Sequence, residues 1–185
     1  MPDDRPWADQ QTEVCEECGF VPLDHDAADL PDAIRGLGRR YRMPLTRFLA
    51  GEDPSTIVRA RPASDRWSAL EYACHVRDVL AVFNGRVLLM VAEDQPSLGW
   101  WDHEAAAEDE GYNAQDPIEV ADALDRNART FAETLEAVPT AGWSREGVRR
   151  AGELFTILGA GRFVLHEGHH HLLDVGRSLR AARGR

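Results

Sequence analysis

The sequence Leu165-His166-Glu167-Gly168-His169-His170-His171-Leu172-Leu173-Asp174-Val175 is the most informative stretch of this chain. It holds four of the seven histidines and two carboxylates, and its apolar residues recur at helical spacing. Side chains three or four positions apart lie one above the other on a helix, so such a pair can bind one metal ion from a single rigid element. The stretch therefore predicts a metal site on a long helix.

Helical phase separates the polar side chains of this stretch into different faces. At about 100° per residue, Glu167 and His171 lie beside the apolar stripe, with Asp174 on the same side. This favours Glu167 and His171 as the inward-facing pair. His166 and His170 have the same spacing on the far flank, and they remain the rival pair of ligands. The stripe itself consists of Ile157, Gly161, Val164, Gly168, Leu172, Val175 and Leu179.

The remaining sequence predicts three more helices and no convincing sheet. Pro44 predicts a kink or break in the first helix, and the second begins at a capping box of Ser68 and Glu71. Four helices with long connections are typical of an all-α fold, a four-helix bundle with long crossover connections. The predicted helices cover residues 30–50, 67–92, 116–138 and 156–183.

The composition limits the classes of function. The 185 residues carry a formal net charge of −11, which disfavours binding to nucleic-acid phosphates. No apolar run is long enough for a membrane span, and the first residues lack the apolar segment of a signal peptide, so we expect a cytoplasmic protein. We expect one bundle domain over residues 30–185, preceded by a short irregular N-terminal arm over residues 1–29.

Cys15 and Cys18 in this arm form a C-x-x-C motif, which makes them a candidate for a second metal site or a redox pair. A structural zinc site normally has four protein ligands. His25, Cys74 or His103 could complete the site. The alternative interpretation is a pair of reduced cysteines with no role in binding.

The connection over residues 93–115 is long for a compact domain, and such connections are usually functional or disordered. Trp100, Trp101, His103 and Tyr112 are its candidate pocket residues. The two tryptophans beside a histidine suggest an ordered flap over the site. A surface loop whose aromatic residues fill one end of the bundle is an equal alternative.

His75, in the segment WSALEYACHVRD over residues 67–78, and the histidine-rich last helix together resemble the DinB/YfiT superfamily of bacterial metal-binding four-helix bundles. The resemblance spans about residues 30–182. It implies that His75 is the first metal ligand and that an i, i+4 pair on the last helix completes the set. Asp174 followed by an apolar residue fits the family's register when that pair is Glu167 and His171, as in the mycothiol-dependent maleylpyruvate isomerases. The commoner pair of two histidines would be His166 and His170.

The resemblance implies a metal-dependent, thiol-dependent S-transferase or isomerase that acts on a small electrophile. A non-catalytic, metal-binding or stress-related bundle is the first alternative, and a metal-dependent hydrolase is the second. In that hydrolase His166 and His170 would hold zinc, and Glu167 would act as the general base. The expected cofactor is a divalent metal, zinc before nickel or iron, with mycothiol as a co-substrate.

The expected partners are therefore a small-molecule thiol and an electrophile, and we expect no binding to nucleic acid or membrane. The sequence leaves open whether the protein forms a homodimer. Asp174 is expected to orient the metal ligands from behind. No catalytic residue is assigned from the sequence.

Overall fold

The computed structural model of the chain describes residues 10–149 and 152–184. It is mostly helical, as predicted, and four long helices build the core. Two short helices lie in the connections, and the last connection contains a two-stranded hairpin. The elements are α1 (Leu30–Thr46), α2 (Pro54–Arg59), α3 (Ala69–Ala92), α4 (His103–Asp109), α5 (Pro117–Glu136), β1 (Glu146–Val148), β2 (Leu154–Thr156) and α6 (Ile157–Ala182).

The four long helices form a closed ring around one hydrophobic core. Helix α1 packs against α5, α3 packs against both α5 and α6, and α6 returns to α1. Helices α1 and α3 are therefore diagonal to each other, although they are the first two long helices of the chain. This arrangement brings α3 and α6 side by side, so side chains of residues 69–92 can meet those of residues 157–182.

Local signals in the sequence set most of the helix starts. The Ser68 side chain accepts a hydrogen bond from the Glu71 amide at 3.2 Å, and the Glu71 carboxylate accepts one from the Ser68 amide at 2.9 Å. This confirms the predicted capping box. Asp116 likewise caps α5 by accepting hydrogen bonds from the amides of Ile118 and Glu119.

Several boundaries differ from the prediction. Helix α1 continues through Pro44, where a kink or break was expected, and ends at Thr46 rather than near residue 50. Leu49, which the helical pattern included, is 58% exposed. The predicted loop over residues 51–66 contains α2, and its first turn is capped by Asp53.

The prediction of no sheet was wrong for a small hairpin. Strands β1 and β2 pair antiparallel, with Gly147 opposite Phe155. The long connection before α5 is tied to this hairpin, since the Leu98 amide donates a hydrogen bond to the Val148 carbonyl at 2.9 Å. Three residues per strand leave too little periodicity for detection in the sequence.

Two glycines let α1 approach α6 closely. A Cβ atom at Gly161 would lie 2.8 Å from Leu30, and one at Gly168 would lie 2.5 Å from Leu37. The Tyr41 hydroxyl donates a hydrogen bond to the Gly168 carbonyl at 2.9 Å. The glycine inside the histidine-rich stretch therefore serves helix packing.

The described part of the N-terminal arm lies along the bundle. It is irregular apart from a short 3₁₀ turn at Pro22–Asp24, as the sequence predicted. Its side chains Cys15 and Phe20 are nevertheless buried in the hydrophobic core. The Arg162 side chain of α6 holds the arm by donating a hydrogen bond to the His25 carbonyl at 2.9 Å. Within the described residues, no helix combines the length and apolar character needed to cross a membrane.

Candidate metal centre

Three buried side chains from the two adjacent helices α3 and α6 converge in the bundle. His75 Nε2 lies 3.2 Å from Glu167 Oε2, and His171 Nε2 lies 3.5 Å from the same oxygen. One ligand atom of each residue lies within 4.8 Å of the other two. The structure thus brings together the three residues that helical phase and the family resemblance selected. Their role as metal ligands stays a prediction.

The charges of Glu167 and His75 suit a divalent cation. Burial would raise the pKa of Glu167, but hydrogen bonds from His171 and His75 hold it well below its usual range, so the carboxylate is ionised. Burial lowers the pKa of His75 to about 4, so this imidazole is neutral at neutral pH. One anionic oxygen between two imidazole nitrogens is a donor set that zinc, nickel and iron accept.

Asp174 lies behind His171 and fixes the direction of its ring. The Asp174 carboxylate is 3.1 Å from His171 Nδ1, so it accepts the Nδ1 hydrogen and leaves Nε2 facing Glu167. Burial alone would lower the pKa of His171. The hydrogen bonds to Asp174 and Glu167 outweigh burial and raise it to about 9.

The His75 ring is held mainly by aromatic packing. It stacks on Trp101 with 5.8 Å between ring centroids, and it meets the edges of His103 at 5.5 Å and His171 at 4.9 Å. In the described part of the chain, His75 Nδ1 is buried without a hydrogen-bond partner. The neighbouring rings therefore restrict the orientation of His75. In His171 a second hydrogen bond, to Asp174, fixes the orientation instead.

The three residues lie on the wall of a cavity of about 270 Å³. Trp100, Trp101 and His103 of the long connection line this cavity, and Trp100 is 52% exposed. The other apolar or aromatic lining residues are Trp67, Tyr72, Val79, Phe83 and Phe163, and the other polar ones are Gln10, Asp65, Arg86, Glu104 and Arg149.

Tyr112 is a correction to the predicted pocket. It is fully buried and is not among the described residues that line the cavity. Its hydroxyl donates a hydrogen bond to the Asp78 carboxylate at 2.5 Å. The residue fixes the end of the long connection against α3, because a tyrosine hydroxyl buried there needs an acceptor.

Arg86 is a cavity residue that the sequence reasoning missed. The signal was present, because Val79, Phe83 and Arg86 follow His75 by 4, 8 and 11 positions and share its helix face. Arg86 stands about 16 Å further along the axis of α3 than His75. The cavity therefore extends along α3 from the metal-binding candidates to a guanidinium group.

Comparison with known families agrees with this arrangement. The family model of the DinB superfamily matches residues 42–175, which include His75, Glu167 and His171. The chain belongs to the DinB superfamily. No curated protein matches the sequence.

A solved structure shares the fold. YfiT from Bacillus subtilis is similar to this chain with a TM-score of 0.78 and 14% identity, over 95% of this chain and 98% of YfiT. YfiT is described as a probable metal-dependent hydrolase with an unusual four-helix bundle topology. At this identity the likeness establishes a shared fold for the DinB-superfamily chain, and the site must be argued from its own residues.

The rival pair, His166 and His170, lies in a second cluster, with Cys15 and Cys18. The two histidines are 1% and 3% exposed, although the sequence placed them on a flank. The N-terminal arm covers that flank, which periodicity within the helix cannot reveal. The DinB-superfamily match begins at residue 42, so it does not include the arm.

The residues named from the sequence to complete a site with the two cysteines lie elsewhere. The Cys74 thiol is 3.7 Å from the Tyr112 carbonyl, and His103 packs against His75. The His25 ring stacks on Phe20 instead, with the ring centroids 5.1 Å apart.

Proposed function

We propose that this DinB-superfamily protein is a metal-dependent enzyme that adds a low-molecular-weight thiol of the mycothiol type to a small electrophile. The thiol would stay in the product of an S-transferase and would be released again by an isomerase. The observation that carries the proposal is that His75, Glu167 and His171 form a set of three at a cavity wall. In the described part of the chain, no fourth side chain belongs to this set. A catalytic site needs such an open position, whereas a structural site has four protein ligands.

Different residues of the chain would bind the metal, orient its ligands and exclude water. His75, Glu167 and His171 would hold the metal, and Asp174 would keep the His171 ring in place. A divalent metal held there supplies Lewis-acid chemistry, lowering the pKa of a thiol so that the thiolate predominates at neutral pH. Trp67 and Trp101 would exclude water from the reacting groups and pack against the flat part of an electrophile.

Arg86 suggests that the substrate carries an anionic group. It is 7% exposed, and its guanidinium donates to the carbonyls of Leu98 and Gly99 at 3.2 and 3.1 Å. Burial and the nearby Arg149 lower the pKa of Arg86 to about 10, so it is still protonated at neutral pH. In the described residues no carboxylate pairs with Arg86, and a substrate carboxylate would provide the missing charge.

Metal-dependent hydrolysis is the second candidate. His103 packs beside His75 at the same cavity and could accept a proton from water. The description of YfiT as a probable metal-dependent hydrolase favours this alternative. The version with zinc on His166 and His170 and with Glu167 as general base does not fit, because Glu167 contacts His75 and His171.

The test compares both reactions in one preparation. The purified protein is stripped with a chelator and reloaded with zinc, nickel or ferrous iron. Thiol loss and isomerisation are then followed with mycothiol and unsaturated carboxylic acids, and hydrolysis is followed with a panel of esters and amides. Thiol conjugation, or isomerisation that requires the thiol, supports the proposal if it needs the metal and disappears in His75→Ala. Metal-dependent hydrolysis without either thiol reaction would establish the second candidate, and none of these reactions in any metal form would favour the non-catalytic bundle.

Cys74→Ser is the matched control for this assay. Cys74 is buried and lies outside both clusters, and burial raises the pKa of its thiol to about 12. The variant is expected to keep conjugation activity. A loss in Cys74→Ser equal to that in His75→Ala would indicate general damage to the fold.

The anion-binding role of Arg86 has its own test. A hydrogen bond to a charged group contributes about 1.5–3 kcal/mol, so Arg86→Gln is expected to raise KM for an acidic electrophile by roughly 10- to 100-fold. The KM for the corresponding neutral amide should change little. An equal rise for both substrates would show that Arg86 only supports the Leu98 and Gly99 backbone.

A further inference from the structure

We infer that Cys15, Cys18, His166 and His170 form a second metal site, a closed structural zinc site that fastens the N-terminal arm to α6. One ligand atom of each lies within 4.8 Å of the other three. The site is separate from the set of His75, Glu167 and His171, and it does not depend on the proposed function.

The cysteines sit on a turn that holds two thiols on one side. The Cys15 amide donates to the Phe20 carbonyl at 2.9 Å, and the Gly19 amide donates to the Cys15 carbonyl at 2.7 Å. Gly19 has a φ of 73°, a conformation that glycine adopts without strain. The backbone itself therefore directs Cys15 and Cys18 to a common point.

The histidines present their rings from one face of α6. His166 and His170 are four residues apart, and His170 Nδ1 lies 3.6 Å from Cys15 Sγ. The Cys15, His166 and His170 side chains are buried, and Cys18 is half-buried. Two cysteines separated by two residues and two histidines separated by three residues match the spacing of Cys₂His₂ zinc sites.

Neighbouring groups orient both rings toward the cysteines. His170 Nε2 lies 3.5 Å from the Glu17 carboxylate and 3.8 Å from that of Asp174, so its hydrogen is directed at the acids and Nδ1 is left for a metal. The ring of Phe20 stacks on that of His166, with 5.2 Å between centroids. A carboxylate behind a histidine ligand is the usual outer partner in zinc sites.

The ligand atoms of these four residues indicate which metal the site binds and that the site is structural. Two thiolates favour zinc over magnesium, calcium or manganese, and four protein ligands leave no open position for a substrate. Zinc there would join residues 15 and 18 to residues 166 and 170, near opposite ends of the sequence. It would therefore stabilise the folded arm, because the unfolded chain does not hold these ligands together.

The two metal sites would share Asp174. Its carboxylate contacts His171 of the first set and lies near His170 of the second. Arg177 also pairs with Asp174 at 3.2 Å and with Glu17 of the arm. Zinc in the second site would thus hold the arm where it supports the residue that orients His171.

The test counts zinc on the full-length protein by elemental analysis after reloading and desalting. The wild type is expected to hold two zinc ions per chain. Cys18→Ser and His170→Ala should each lose one, His75→Ala should lose the other, and Cys74→Ser should keep both. A wild type that holds one zinc ion, lost only in His75→Ala, would overturn the inference.

Cobalt substitution and thiol protection test the same site in the wild-type protein. Bound cobalt should give a thiolate-to-metal charge-transfer band, and zinc should displace the cobalt and remove the band. Zinc should slow alkylation of Cys15 and Cys18, and a chelator should restore it. Equal alkylation rates with and without zinc, or a Cys15–Cys18 disulfide in freshly purified protein, would contradict the site.

Discussion

Zinc binding to His75, Glu167 and His171 is expected to release one proton at neutral pH, and that proton should come from His171. Two carboxylates lie at its nitrogens, Asp174 at 3.1 Å and Glu167 at 3.5 Å. They raise the pKa of His171 to about 9 against the effect of burial, so the metal-free imidazole is protonated. A metal binds only the neutral ring.

The number of protons released, and hence the pH dependence of the affinity, also depends on the other two ligands. The pKa of His75 is lowered to about 4 and that of Glu167 lies well below its usual range, so neither carries a proton that must leave. Between about pH 7 and pH 9 the apparent affinity should rise roughly tenfold per pH unit, about 100-fold in all. Above about pH 9 this contribution should disappear, because metal-free His171 is then already neutral.

The assay uses the Cys18→Ser protein, so that the thiols of the second cluster contribute no protons. Zinc affinity is measured by competition with a chromophoric chelator across this pH range. Calorimetry in buffers of different ionisation enthalpy counts the protons released. Asp174→Asn is the matched variant, and it should lower the pKa of His171 and flatten the pH dependence. Its affinity at high pH should fall by about 10- to 100-fold, since the ring loses its orienting partner.

Three results would refute this reasoning. A pH-independent affinity would show that His171 is neutral in the metal-free protein. An unchanged slope in Asp174→Asn would show that the carboxylate does not set the pKa. Release of two protons would show that His75 is also protonated, against the effect of its burial.

Three further substitutions test the site and the packing around it. His75→Ala should remove the metal of the first set while zinc on the cysteine cluster remains; full retention by elemental analysis would exclude His75 as a ligand. Gly168→Ala should destabilise the protein by about 1–3 kcal/mol in denaturant unfolding, because its Cβ would lie 2.5 Å from Leu37. Gly176→Ala in the same helix, where the nearest atom is on Arg180 at 3.7 Å, should stabilise it by roughly 0.5–1 kcal/mol. Similar changes in both would contradict the close approach of α1.

The helices could be predicted because their signals are local. The Ser68 and Glu71 capping box starts α3, and Asp116 starts α5, through hydrogen bonds within three residues. Pro44 was a weaker signal, because α1 runs through it to Thr46, and the apolar pattern continued past that end to Leu49. The ring order of the helices could not be read this way, because it depends on contacts between residues far apart in the chain.

The residues of the candidate site could likewise be predicted only where the signal was local. Periodicity within α6 placed Glu167 and His171 on the inward face, and the family resemblance implied His75. Arg86 belonged to the same helix face as His75, but only the cavity shows that this face borders open space. Tyr112 was assigned to the pocket by its place in the long connection, and a buried hydrogen bond to Asp78 puts it elsewhere.

The sequence by itself determined that α6 carries two candidate ligand pairs at i, i+4 spacing, because one helix fixes the geometry of each pair. Only the tertiary structure decided what each pair meets. Packing of α3 against α6 brings His75 to Glu167, and the N-terminal arm brings Cys15 to His170. No local pattern encodes these contacts, because the residues in contact are far apart in the sequence. His75 and Glu167 are separated by 92 positions, and Cys15 and His170 by 155.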